Sequence, residues 1–222
     1  MDRVAGLRVM TYNVRQLKDD RAAVVRVLRA AAPDVVALQE PPRGPLGRLR
    51  LRWVAEAAGL EPVVSGGGAR TTALLARPGL TVTGAWARTL PWRPVRTPRG
   101  LAIADIAGVR IICVHLGLSA PERADQVTRI LPIVRAAPGA GCIVAGDLNE
   151  LPTGAAWRRL GQTLRDLTAS AGPTYPATAA VKRIDAVLAT GGLVGTAPRV
   201  SADDDARRAS DHLPVVVDVR WV

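Results

Sequence analysis

Asn13, Glu40, His115 and Asp147 each stand at or just beyond the C-terminal end of an apolar, strand-like run, whereas Asp185 and the pair Asp211-His212 stand at the start of one. If the second group of strands runs antiparallel to the first, all of these side chains lie along one edge of a layered structure. A six-residue strand spans about 20 Å, so reversing a single strand would carry its residue to the far side. The chain has only two histidines, and both belong to this set. An imidazole beside carboxylates is equipped to move protons near neutral pH. Glu40, Asp147, Asp185 and Asp211 share the pattern, and clustered carboxylates repel one another unless something neutralises them. A divalent cation does so. The donors are hard oxygens, with too few Cys and His for a dedicated zinc site, which favours Mg²⁺ or Mn²⁺.

The elements that must position these residues are short β-branched runs alternating with helical stretches, the pattern of a layered α/β architecture. Leu7 to Asn13 reads as a strand. Asp19 to Ala32 predicts a helix, with Val24, Val25, Val27 and Leu28 on one face and acids at its start. Pro33 ends it, and Asp34 to Gln39 reads as a buried strand leading to Glu40. A helix over Arg48 to Gly59, a turn at Gly66-Gly67-Gly68 and a strand over Thr72 to Ala76 follow. Leu101 to Ile106 and Val109 to Val114, joined by Ala107-Gly108, form a hairpin. Ser119 can cap a helix reaching about Leu131, which Pro132 should end or kink. A strand over Cys142 to Ala145, a helix from near Thr153, and strands over Ile184 to Ala189 and Pro214 to Val219 complete the chain. The Pro- and Arg-rich stretch Leu90 to Gly100 lies between strands and reads as a long loop, and Asp203-Asp204-Asp205 as a solvated one. The glycine runs at Gly66 and at Gly191-Gly192 lack phosphate-loop spacing and read as turns.

With 222 residues, 48% of them hydrophobic and 22% charged, the chain can bury one large core and reads as a single domain over residues 1–222. Cys113 and Cys142 sit in apolar runs, as buried reduced thiols would, and neither a leader-like segment nor a bilayer-spanning run is visible. A soluble cytoplasmic protein is expected, with no protein partner evident. The net charge of +11 concentrates phosphate-bearing partners such as nucleic acid or acidic headgroups near the surface. Only Lys18 and Lys182 are lysines, however, and a coding bias toward arginine would produce the same excess. Aromatic residues make up 3% and phenylalanine is absent, so a base-stacking platform is not indicated.

Six segments carry a family resemblance: TYNV (Thr11 to Val14), LQE (Leu38 to Glu40), VHL (Val114 to Leu116), GDLN (Gly146 to Asn149), RIDAVL (Arg183 to Leu188) and SDHLPV (Ser210 to Val215). In this order, each at the strand end required above, they resemble the endonuclease/exonuclease/phosphatase superfamily of metal-dependent phosphoesterases with the deoxyribonuclease-I-like fold. The resemblance implies a four-layer α-β-β-α sandwich of two mixed sheets with the site at one edge. It implies Glu40 as the principal metal ligand, aided by Asn13 and Asp211, and Asp147 and Asn149 as the residues that position water and phosphate oxygens. His212 would be the general base, oriented by Asp185, and His115 would donate to a non-bridging phosphate oxygen.

Two departures qualify the match. Thr72 stands where relatives often carry Asn or Gly, and the chain is short, so the loops that usually choose the substrate are reduced. The hairpin geometry adds that the start of the strand at Leu101 should lie on the same edge, so that Arg96 and Arg99, with Trp92, would contact substrate phosphate. Tyr175 can border the cleft. Three functions remain open: a phosphodiesterase with nucleic acid slightly favoured, a phospholipid or inositol-phosphate phosphoesterase, and a catalytically silent nucleic-acid-binding module.

Overall fold

The computed structural model describes residues 6–91 and 96–222. Its first sheet is built from β1 (Gly6–Asn13), β2 (Val35–Gln39), β3 (Glu61–Ser65), β4 (Thr72–Ala76), β11 (Leu193–Val200) and β12 (Val215–Trp221), in the order β11-β12-β1-β2-β4-β3. The second contains β5 (Val82–Thr89), β6 (Gly100–Ile106), β7 (Val109–His115), β8 (Cys142–Asp147), β9 (Arg165–Asp166) and β10 (Asp185–Ala189), in the order β5-β6-β7-β8-β10-β9. Helices α1 (Arg21–Ala31), α2 (Gly47–Ala57) and α5 (Asp204–Ala209) cover the outer face of the first sheet, and α3 (Ala120–Arg135) and α4 (Ala155–Gly161) cover that of the second. This is the four-layer α-β-β-α sandwich expected from the sequence.

Strand alternation distributes the core among these layers. Val9, Val35 and Leu74 meet Ala104, Ile111 and Val187 between the sheets. Their neighbours Met10, Val36 and Leu75 pack under α1, α2 and α5, while Ile103, Ile112 and Val144 pack under α3 and α4. Sheets covered on both faces need strands that are apolar throughout, which is why the central strands read as continuous hydrophobic runs.

The strand directions satisfy the condition set by the sequence. β1 runs parallel to β2 and β7 parallel to β8, with Asn13 opposite Gln39 and His115 opposite Asp147. β12 is antiparallel to β1, and β10 is antiparallel to β8 with Asp185 opposite Asp147. The ends of β1, β2, β7 and β8 and the beginnings of β10 and β12 therefore share one edge.

Local chemistry sets the helix boundaries. Asp20 caps α1 by accepting a hydrogen bond from the Ala23 N–H at 2.9 Å, and Ala32 closes it at a left-handed φ of +45°. Pro132 neither ends α3 nor stops its hydrogen bonding, and the helix continues to Arg135. Proline deprives the carbonyl four residues earlier of a partner, but Thr128 is exposed, so water can satisfy that group. Ser119 occupies the N-cap of α3 without making a side-chain capping bond. The acidic triplet is not a solvated loop: Asp203 caps α5 by accepting from the Ala206 N–H, and Asp205 pairs with Arg26 of α1 at 2.8 Å. No helix among the described residues is long and apolar enough to cross a membrane.

Tyr12 is fully buried under the first sheet, and its hydroxyl finds no hydrogen-bond partner among the described residues. Burying that hydroxyl without a partner costs free energy that a phenyl ring would not incur. Tyr12→Phe is therefore expected to raise unfolding stability by about 1 kcal/mol in urea titrations. A loss of similar size would mean that the hydroxyl is paired.

Candidate active site

The shared edge opens into a cleft of about 530 Å³. Asn13, Glu40, His115, Asp147, Asn149 and His212 line it, as do Asp211 and Arg99. Asp185 stands behind His212 and is almost wholly buried. Arg96 lies beside Arg99 in a small adjoining pocket of about 30 Å³ instead of the main cleft. Trp92 falls outside the described residues. Thr72 is turned away: its Oγ1 donates to the carbonyls of Ala69 and Gly100, at 2.9 and 3.2 Å.

Backbone and side-chain staples hold this constellation. Glu40 adopts a φ of +50°, its N–H donates to the Thr71 carbonyl at 2.9 Å, and its carbonyl accepts from the Gln16 N–H at 2.8 Å. A left-handed non-glycine residue fixed from both sides is strained backbone of the kind found where function fixes a side chain. Ser210 ties the segment before β12 to the end of β1 by donating its hydroxyl to the Asn13 carbonyl at 2.7 Å. Sequence reasoning quoted Ser210 within a motif without giving it this task, because the hydrogen bond spans 197 positions.

His212 and Asp185 form a buried dyad, with His212 Nδ1 3.0 Å from Asp185 Oδ2. In the neutral ring the hydrogen bond to Asp185 keeps the proton on Nδ1 and leaves the Nε2 lone pair free. That Nε2 lies 3.9 Å from Asp147 Oδ2. Burial alone would depress the imidazole pKa, but Asp185, by its charge and its hydrogen bond, outweighs burial together with Asp147 and Asp211 and raises it to about 9. The Tyr175 ring packs against the imidazole at 4.9 Å between centroids, so Tyr175 does border the cleft.

Asp147 is the hub. Its Oδ1 accepts from the Asn149 N–H at 2.8 Å, and its Oδ2 accepts from Asn13 Nδ2 at 3.3 Å and lies 3.4 Å from His115 Nε2. Burial, and then the charge of Asp185, push its pKa above the usual carboxylate range. His115 behaves oppositely: burial, followed by the positive charges of Arg99, His212 and Arg43, lowers its pKa well below that of free imidazole, so it is neutral at pH 7. Its Nδ1 has no hydrogen-bond partner among the described residues, although the Thr71 backbone stands close enough to favour the protonated ring slightly. Arg99 is 7% exposed and its guanidinium makes no hydrogen bond or ion pair with any described residue, which leaves it for an anion in the cleft.

The donor set suits a cation. Asp147, Asp185 and His212 place one ligand atom each within 4.8 Å of one another, and the buried Asp185 Oδ1 has no hydrogen-bond partner among the described residues. Glu40 lies outside that tight group, on the same cleft as Asn13 and Asp211. Its oxygens, the Asn13 amide oxygen and the Asp211 carboxylate are the hard donors that Mg²⁺ and Mn²⁺ prefer.

Other cleft residues escaped the sequence reading. Lys182, Leu118 and Leu151 line the opening from loops that carry no motif. Arg123 of α3 gives its Nε and Nη2 to Glu150 Oε1, at 3.2 and 3.1 Å, and its Nη1 to the carbonyls of Gly117 and Leu118. Glu150 in turn accepts from the Trp157 N–H. This largely buried pair pins the loops that follow His115 and Asn149. The signal was a charged residue within the apolar period of a helix. Arg123→Met removes one partner of a buried pair and is expected to cost about 3 kcal/mol in denaturant titrations.

A two-sheet sandwich with carboxylates and imidazoles converging at one edge defines a class of phosphoester hydrolases. The chain belongs to the endonuclease/exonuclease/phosphatase family, whose sequence model matches residues 10–212. Among solved structures it is similar to an endonuclease/exonuclease/phosphatase from Beutenbergia cavernae, at 26% identity and a TM-score of 0.73 over 97% of this chain and 72% of that one. It is also similar to the mannosyl-6-phosphatase Bt3783 of Bacteroides thetaiotaomicron, at 17% identity and a TM-score of 0.78 over 97% and 100% of the two chains. D. rerio TDP2 complexed with single strand DNA product aligns at 19% identity and a TM-score of 0.72 over 97% and 99%. No curated protein matches the sequence.

Proposed function

We propose that this chain is a divalent-metal-dependent phosphoesterase that hydrolyses a phosphodiester by in-line attack of water, with nucleic acid the favoured substrate. The observation that carries the proposal is the buried His212–Asp185 dyad, 3.0 Å across, with Nε2 turned toward Asp147 at the cleft. Glu40, Asn13 and Asp211 would hold Mg²⁺ or Mn²⁺, which when bound neutralises charge on the phosphoryl and leaving oxygens. Asp185 is already committed to His212, and this argues against using the Asp147–Asp185–His212 group as the metal site. Asp185 holds the imidazole tautomer, and His212 Nε2 takes a proton from the attacking water. Asp147 and Asn149 orient that water and the phosphate. Neutral His115 donates to a non-bridging oxygen, where charge builds during attack, and Arg99 adds a fixed positive charge.

The net charge of +11 and the likeness to TDP2 bound to DNA product support a nucleic-acid substrate. The mannosyl-6-phosphatase likeness and the scarcity of aromatic residues support the second reading, a small phosphorylated polyol or lipid headgroup. Both cysteines are free and buried, with thiols pushed up by burial to about 12, and such inert thiols suit the reducing cytoplasm in which we place the protein. The test is a substrate panel run with Mg²⁺, with Mn²⁺ and with chelator. Plasmid nicking or abasic-site cleavage supports the first reading, and release of inorganic phosphate or phosphocholine supports the second. Nucleic-acid binding in chelator with no hydrolysis under any metal would make the chain a silent binding module.

A further inference from the structure

A second cavity, of about 360 Å³, adjoins the cleft on the Glu40 side. The two share walls: Glu40 faces the cleft while Pro41, Pro42 and Arg43 face the cavity, and Thr97 and Arg99 face the cleft while Pro98 faces the cavity. Arg43, Arg48 and Arg70 line this second cavity, and no acidic residue among the described residues does. None of the three guanidinium groups makes a hydrogen bond or ion pair with a described residue, in contrast to those of Arg8, Arg26, Arg77, Arg110 and Arg123, which all bind carboxylates. Three unpaired guanidinium groups around one concavity repel one another, and an anion relieves that repulsion.

The backbone makes room for this arrangement. Gly66, at a φ of +70°, lies under the Arg48 side chain, and a Cβ there would stand 2.7 Å from Nε and 2.9 Å from Nη2. A Cβ at Gly47 would collide with the Pro42 carbonyl, so the start of α2 closes onto the Pro41-Pro42 segment only because residue 47 is glycine. Arg43 lines the cavity, and its positive charge also lowers the pKa values of His115 and Arg99 in the cleft. We infer that the cavity bounded by Arg43, Arg48 and Arg70 is a second anion subsite, holding a phosphate of the substrate beyond the one hydrolysed. This rests on reading the cleft as a phosphoester site. It selects substrates with at least two phosphates, supplied by a nucleic-acid backbone or a phosphorylated polyol.

Hydrolysis of bis(p-nitrophenyl) phosphate by the unaltered protein with Mg²⁺ or Mn²⁺ tests the cleft itself. The subsite is tested in chelator, by fluorescence or calorimetric titration with one-phosphate and two-phosphate ligands. The latter are a 5′-phosphorylated phosphorothioate dinucleotide and an inositol bisphosphate. Arg48→Glu/Arg70→Glu is expected to weaken binding of a two-phosphate ligand at least tenfold more than that of a one-phosphate ligand. Gly66→Ala, which displaces Arg48 without altering charge, should act in the same direction. The ligand showing the loss identifies the source of the phosphate. An equal loss from Arg50→Glu/Arg52→Glu, which reverses the same charge on α2 outside the cavity, would overturn the proposal, as would equal losses for the two ligand classes or no loss at all.

Discussion

His212→Asn is expected to lower kcat by about 10²–10⁴-fold, the usual contribution of a positioned general base. Asparagine can keep a donor near the position of Nδ1, so Asp185 stays partnered, while the Nε2 that would accept the water proton is lost. Because the buried carboxylate is not abandoned, the fold should survive, and circular dichroism melting should separate this loss from unfolding. The pH profile gives a second readout. The metal-free imidazole titrates at about 9, because Asp185, Asp147 and Asp211 outweigh the lowering effect of burial. Only the neutral ring accepts a proton, so the rate should climb with pH until His212 is deprotonated. Positive charge from a bound cation favours the neutral ring and should move that limb below 9. Asp185→Asn removes the strongest raising charge and should lower the midpoint further while also reducing kcat, since the imidazolium formed in catalysis loses its counter-ion. NMR titration of the imidazole with and without Mg²⁺ measures the shift, and an unmoved midpoint in Asp185→Asn would remove Asp185 from its orienting role.

What was legible in the sequence divides along a physical line. The eight strands with a neighbour on both sides, β1, β2, β4, β6, β7, β8, β10 and β12, were marked as apolar runs because both of their faces are covered. The four edge strands were not: β5 could be inferred only as the element before the long loop, and β3, β9 and β11 left no signal. β5 exposes all but one of its residues and β11 buries only Leu193, so neither alternation nor a continuous apolar run survives. Pro62 and Pro198 sit inside β3 and β11, where an edge tolerates a missing N–H that a central strand would not. The site was legible for the same reason as the core, since Asn13, Glu40, His115 and Asp147 are the polar residues that end buried strands. Arg48 and Arg70 end no strand, and they meet only because α2 and the turn after β3 fold against each other. The acidic triplet was misread because three consecutive aspartates look solvated until one is seen to cap α5 and another to bind Arg26.

Glu40→Gln should lower kcat/KM by at least about a hundredfold, the equivalent of roughly 3 kcal/mol of charge stabilisation supplied through a metal ligand. The substitution preserves size and leaves both backbone hydrogen bonds of residue 40 in place, so the left-handed turn into Pro41 should persist. What changes is one negative charge on the cleft, and its main consequence should be weaker cation binding. Calorimetric titration with Mg²⁺ or Mn²⁺ should then show reduced affinity, and activity should recover in part as the metal concentration rises. Asp185→Asn is the informative contrast. If Asp185 orients His212, its loss changes kcat and the pH limb but leaves metal affinity close to that of the unaltered protein. If instead Asp185→Asn abolishes metal binding and Glu40→Gln does not, the cation belongs in the Asp147–Asp185–His212 group, whose ligand atoms lie within 4.8 Å of one another. His212 would then be a ligand with its lone pair committed to the ion, and the water proton would need another acceptor.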